Sequence, residues 1–289
     1  MRYPLLLVFI LLPAFVPATV SASEFSVQLG VGNFDFSGDR VPEEGAPVPD
    51  TTSFEIAAWM TNRLSESLHV DVGFERDPIL GNSVLSKLRV SEGPLQVTIG
   101  PTFGLLNTAP APVRAGVAGT LTVDLFDRVY IGGEARETLA SLNDPGDYRS
   151  GQLAGVLGAR IPNARVEARV ESRRFEEVTE GGARHRSRSV YGVSADVFKE
   201  GVPYTVVLDL AYHNREVRLL DDDTSEVDAL GSIVLGTTIG VRLSPDVAAD
   251  IGLDSNLFTF GRGGLAGADL SGVFLFRTTV GLRVTSNRE

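Results

Sequence analysis

Charges alternate in sign at every second position from Arg165 to Arg173: Arg165, Glu167, Arg169, Glu171 and Arg173. Residues two apart on an extended chain share one face, so this spacing places the whole series on one wall. The next stretch adds Arg186, Arg188 and Asp196, and others add Arg114, Asp124, Glu134, Arg136, Asp209 and Arg277. Guanidinium and carboxylate groups lining a wet channel set its ion selectivity. With Asp71, Asp250 and Asp254 opposite, the arginines would put a transverse field across such a channel. The same alternation also permits a second outcome, a ladder of mutually neutralised pairs that sets no selectivity.

Other chemistry is thin. Three histidines are present, His69, His185 and His213. His69 shares a strand face with Asp71, and His213 shares one with Asp209. Their places near opposite ends of two parallel-running segments separate them by on the order of 20 Å, too far for one cluster. No nucleophile accompanies either, so the chain is expected not to be an enzyme. Asp221-Asp222-Asp223 with Glu226 offers oxygen ligands, but the spacing is not that of a Ca²⁺ loop, and a solvated acidic loop is expected. Gly261-Arg262-Gly263-Gly264 precedes no helix; without a helix N-terminus it does not cradle phosphate and reads as a flexible outer loop. No metal or cofactor is expected, and the absence of Cys excludes disulfides and thiol chemistry.

The elements that carry these residues read as strands. Val113, Ala115, Val117, Gly119, Leu121, Val123 and Leu125 alternate with Arg114, Gly116, Ala118, Thr120, Thr122 and Asp124. On the segment holding the charge ladder, Val166, Ala168 and Val170 mark the apolar face, so the charges take the other. Tyr191, Val193, Ala195 and Val197 do the same for Arg186, Arg188 and Asp196. Apolar residues with period 2 argue strands, and almost no stretch carries the 3.6 period of a helix. Fourteen segments follow: 25–36, 52–63, 67–76, 83–91, 95–106, 112–126, 129–140, 148–161, 164–178, 186–199, 203–218, 228–243, 247–260 and 271–284. The count falls to 12 if 83–91 and 247–260 fail.

Connections alternate by parity. Those after even segments are short, such as Asp127-Arg128 and Pro162-Asn163; those after odd segments are longer and more acidic, such as 37–51 and 219–227. Short turns at one end and long loops at the other are the pattern of a membrane barrel. No stretch after Ser23 is apolar for 18 residues, so no transmembrane helix is expected. Residues 1–23 read as an export signal: Arg2, an apolar run from Leu5 to Val16, and Ser21-Ala22-Ser23 as a cleavage site near Ala22 or Ser23. Residues 24–289 then form one barrel domain with no room for an N-terminal plug. The formal charge is −11 for the whole chain and −12 without Arg2, which does not suggest a basic surface, and no nucleic-acid partner is expected.

On these strands and turns the chain resembles bacterial outer-membrane β-barrel proteins of porin-like size. The likeness is architectural and carries no diagnostic motif. It implies an all-β, transmembrane, antiparallel up-and-down β-barrel in an outer membrane. Phe74, Tyr148, Phe175 and Phe258 would form an upper aromatic girdle, and Phe126, Phe198 and Tyr204 a lower one. Such proteins usually end on an aromatic residue, whereas this chain ends Asn287-Arg288-Glu289. The expected function is a passive diffusion pore for small hydrophilic solutes. The alternatives are a structural or surface-interaction barrel with an occluded lumen and, less, a hydrophobic-compound transporter or an outer-membrane enzyme. Expected partners are outer-membrane lipid, the barrel-insertion machinery and small solutes; the oligomeric state stays open.

Overall fold

In a computed structural model of the chain, residues 23–33, 52–77, 81–105, 114–139, 148–179, 182–220, 225–263, 265–267, 269–270 and 273–286 are described. The expected export signal at 1–23, apart from Ser23, the acidic run at 221–223 and the C-terminal 287–289 lie outside them. The described chain is all β: β1 (Ser23–Gly32), β2 (Ser53–Arg63), β3 (Leu68–Asp77), β4 (Gly81–Glu92), β5 (Leu95–Leu105), β6 (Arg114–Phe126), β7 (Val129–Leu139), β8 (Tyr148–Ile161), β9 (Ala164–Thr179), β10 (Gly182–Phe198), β11 (Tyr204–Leu220), β12 (Ser225–Ser244), β13 (Val247–Gly263) and β14 (Phe276–Ser286). Each strand pairs antiparallel with its neighbours in sequence, and β1 closes on β14 from Ser23↔Ser286 to Gly32↔Arg277. Closure leaves no open sheet edge, which an apolar solvent demands because an edge would leave its donors and acceptors unpaired.

The apolar positions of the period-2 pattern point outward. Ile99, Leu121, Leu157, Val170, Leu210, Ile251 and Val280 are exposed on the outer wall. A soluble protein does not leave such a continuous apolar surface wet; a hydrocarbon surround accounts for it. Phe126, Phe198 and Tyr204 lie exposed at the turn end, and Phe74 and Phe258 nearer the loop end. Phe175 departs from the expected girdle. It shares the parity of Arg173, is buried, and carries the Arg186 guanidinium over its ring at 5.9 Å. The side chain of Tyr148 lies outside the described ones.

Strand lengths differ from the sequence expectation. β12 has 20 residues, whereas β1 and β3 have 10. At ~3.3 Å per residue and a tilt near 40°, β12 rises about 50 Å, twice the ~25 Å apolar band of an outer-membrane barrel. β11 and β12 therefore consume most of the expected loop at 219–227, leaving 221–224 between them. Likewise β13 runs through Gly263, so Gly261-Arg262-Gly263 is strand and not a flexible loop. Above the membrane the ladder continues without needing an apolar face, which is why alternation failed to mark these ends.

Inside the wall, close packing fixes some glycines. A Cβ on Gly73 would lie 2.5 Å from the ring of its cross-strand neighbour Trp59, over which the Lys87 ammonium sits at 4.9 Å. Gly73→Ala is expected to push Trp59 aside and cost about 1–3 kcal/mol. Since Trp59 is the chain's one Trp, its emission spectrum reads the displacement directly; an unchanged spectrum would contradict this packing.

Candidate functional site

The inward positions carry the charges. At the turn end Arg165 meets Asp196 at 3.2 Å and Glu167 at 3.5 Å. Tyr130 donates to Glu167, and Arg160 bonds Asp124 at 2.8 Å while lying over the Tyr130 ring at 4.5 Å. Higher in the lumen Arg169 pairs with Asp209 at 3.1 Å, and Arg188 with Glu171 at 2.9 Å. Arg277 of β14 bonds Glu55 of β2 at 2.7 Å and reaches Asp254 of β13 at 3.9 Å.

One pair spans the lumen. Arg136 on β7 bonds Glu75 on β3 at 2.7 Å, although β4, β5 and β6 lie between their strands. Two side chains of this length bridge that interval only if the barrel is drawn in there. Along the β4–β6 wall, Leu85, Thr98, Thr102, Arg114 and Ala118 are buried. Arg114 donates to the Asn82 carbonyl at 3.2 Å and covers Gly104, where a Cβ would lie 2.3 Å from its Nε. Glu134 faces inward on β7, half-buried.

The remaining side of the lumen, walled by β9–β14 and β1–β3, encloses a cavity of about 390 Å³. Its lining interleaves carboxylates and guanidiniums: Glu55 and Asp254 flank Arg277, Asp209 pairs with Arg169, and Glu75, Arg173 and Arg188 complete the charged ring. His213 also lines it; His69 sits at the turn end of β3, apart from it. The structure thus gathers Arg169, Arg173, Arg188, Asp209 and Arg277 around one space, with Arg136 reaching its edge through Glu75. It keeps Arg165 and Glu167 at the turn end, Arg186 over Phe175, and Arg114 and Glu134 on the opposite wall.

Of the carboxylates expected to oppose the arginines, only Asp254 does so. Asp71 is buried against Arg89 at 2.7 Å and accepts from Thr61 at 2.7 Å. Asp250 packs against Gly281, where a Cβ would lie 2.2 Å from its carboxylate. Glu55 and Glu75, which take that role, were missed. Their only sequence signal is the inward parity they share with Trp59 and Asp71 on their strands.

A further feature closes part of the mouth. Leu270, Val273 and Leu275, on the connection before β14, bury against Leu230 and Val234 on the inner face of β12. Two asparagines hold this connection. Asn256 donates to the Val273 carbonyl at 2.8 Å, and its side-chain oxygen accepts from the Leu275 N–H at 2.9 Å. From the other side Asn33 donates to the Phe274 carbonyl at 2.9 Å and accepts from the Phe276 N–H at 2.8 Å. The cluster makes the lumen beside β12–β14 apolar at this level and borders the charged cavity, which Val234 also lines.

No family model and no curated protein matches the chain. Solved structures do. An outer-membrane channel from Pseudomonas putida F1 superposes with a TM-score of 0.55 at 10% identity, over 93% of this chain and 97% of that one. The CymD monoaromatic hydrocarbon channel gives 0.48 at 12% identity, over 98% and 92%. A loop-deleted form of OmpT, an outer-membrane protein of Vibrio cholerae, gives 0.48 at 9%, over 93% and 99%. At these identities the likeness is one of fold: a single-chain barrel of the outer-membrane type.

Proposed function

We propose that this barrel is a passive diffusion pore for small hydrophilic solutes in a bacterial outer membrane. The observation that carries this reading is the charged cavity of about 390 Å³ inside the barrel, lined by carboxylates of β2, β3, β11 and β13 interleaved with guanidiniums of β9, β10 and β14. Fourteen strands enclose more room than the eight that side chains just fill. Rings of charged side chains lining a pore tune its ion passage. Outer-membrane lipid and the barrel-insertion machinery are its partners in this reading.

One observation favours the alternative of an occluded structural barrel: the apolar cluster of Leu230, Val234, Leu270, Val273 and Leu275 inside the mouth. Single-channel recording of the refolded protein in a planar bilayer separates the two. The pore reading expects discrete, ohmic steps. Glu75→Gln breaks the bridge to Arg136 and is expected to enlarge the step and raise anion preference. Arg188→Gln is expected to shift the reversal potential in a salt gradient toward cations. Stable insertion without conductance would move the assignment to the occluded barrel.

A further inference from the structure

Charged side chains also stand on the outside of the wall, where a membrane protein has least reason to put them. They lie on the same parity as the lipid-facing residues and form two adjoining rows set by strand register. One row runs Glu137, Gly151, Arg174, Ser187, Glu216 across β7 to β11; the next runs Arg149, Glu176, His185, Arg218 across β8 to β11. Within them Arg149 bonds Glu137, Arg174 reaches Glu137 at 3.9 Å, and His185 lies 3.7 Å from Glu176. A charge at the midplane of the lipid face costs about 2–4 kcal/mol, and the cost fades to about 0–1 near the interfaces. Depth is therefore decisive. Glu137 is eight residues above Val129 at the turn end of β7, and Arg174 ten above Ala164 on β9. At about 2.5 Å of rise per tilted residue that is roughly 20–25 Å, the top of the apolar band. The patch is at the headgroup level of the outer leaflet.

Two recesses meet there. One, of about 390 Å³, opens on the lipid side between Val117, Ala135, Leu153 and Ser172, with Arg174 and Glu137 at its upper edge. Below it Gly133 and Gly155 leave the wall low; a Cβ on Gly155 would meet nothing within 4 Å. The other, of about 210 Å³, is bounded by Arg174, Glu176, His185, Ser187, Glu216 and Arg218. An apolar hollow at acyl-chain depth and a polar one at headgroup depth thus share Arg174 as a common lining residue. The polar groups are mixed. Arginines bind phosphate oxygens through paired N–H donors, while Glu176, Glu216 and Ser187 suit a donor-rich neutral ligand such as sugar hydroxyls. A plain phospholipid headgroup has one phosphate and few hydroxyls to offer.

We propose that this outer face is a binding site for a phosphorylated glycolipid of the outer leaflet. An acyl chain lies over Ala135, Gly133 and Gly155, and the phosphorylated sugar sits on Arg174 and Arg218. The proposal does not depend on whether the lumen conducts. The test is native mass spectrometry of the refolded full chain in detergent, titrated with lipid A, an acylated, doubly phosphorylated glucosamine disaccharide. The expected result is a one-to-one complex that a Arg174→Gln, Arg218→Gln double variant weakens at least roughly ten-fold, with heat-modifiable gel migration showing that the variant still folds. Enzymatically dephosphorylated lipid A is expected to bind the unaltered protein equally weakly, which tests the site without any substitution. Undiminished binding of the dephosphorylated probe would overturn the proposal. So would phosphatidylglycerol binding as tightly as lipid A, or a protein that binds neither and instead pairs with a second copy through this face.

Discussion

Leu210→Arg is expected to destabilise the folded barrel by about 2–4 kcal/mol in phospholipid vesicles. By the ordinary logic of soluble proteins it should do nothing, because Leu210 is 53% exposed and surface changes usually fall within about 0.5 kcal/mol. The difference lies in the surround. Leu210 stands six residues above Tyr204, the turn-end residue of β11, about 15 Å up at the tilt of a barrel strand, which is near the middle of a ~25 Å apolar band. A guanidinium there loses its hydration and meets only Val193 and Leu235 across the ladder. A charge three residues away at the inward Val207, which lines the lumen cavity, is expected to cost much less. Urea unfolding followed by tryptophan emission or heat-modifiable migration measures both. Equal, small effects at the two positions would sink the membrane orientation of the whole wall.

The second large effect is expected inside the mouth. Leu275→Ala should cost about 2–5 kcal/mol, the range for emptying a buried leucine site. Leu275 is fully buried, at 0% exposure, between Leu230, Val234, Leu270 and Val273. The cost falls toward the upper end if the cavity persists, since Asn33 and Asn256 hold the backbone on both sides and restrict collapse. The same truncation removes the anchor that keeps the connection against β12. If the lumen conducts, the variant should show larger or more variable single-channel steps than the unaltered protein. A variant with unaltered unfolding midpoint and unaltered steps would mean that the cluster neither stabilises the barrel nor narrows its path.

The two effects probe opposite faces of the same sheet, and they rest on one inversion. In this barrel the apolar face that alternation marks is the outside. The inside is therefore left to polar groups, and the apolar cluster at Leu275 is an exception that a connection brings in from beyond the strands. That exception is the physical basis of the occluded alternative, and the charged cavity beneath it is the basis of the pore.

The sequence by itself determined the strands, pointed to about 14 of them with 12 left open, and set the face of most residues, Phe175 being an exception. The charge ladder of β9 shows why: Val166, Ala168 and Val170 alternate with Arg165, Glu167 and Arg169, and a period of 2 is a local property that adjacent residues display. It also determined the short turns at 127–128 and 162–163. Strand ends above the membrane were not legible, because β10, β12 and β13 keep their ladder after the need for an apolar face has ended. Tertiary structure alone decided which charges meet. Glu75 with Arg136, Glu55 with Arg277, and Tyr130 with Glu167 each join strands that are not neighbours. Such meetings depend on how far each strand is offset in height from the next, and on how closure draws the wall inward. Both are summed around the full circle of strands, so no local window of residues contains them.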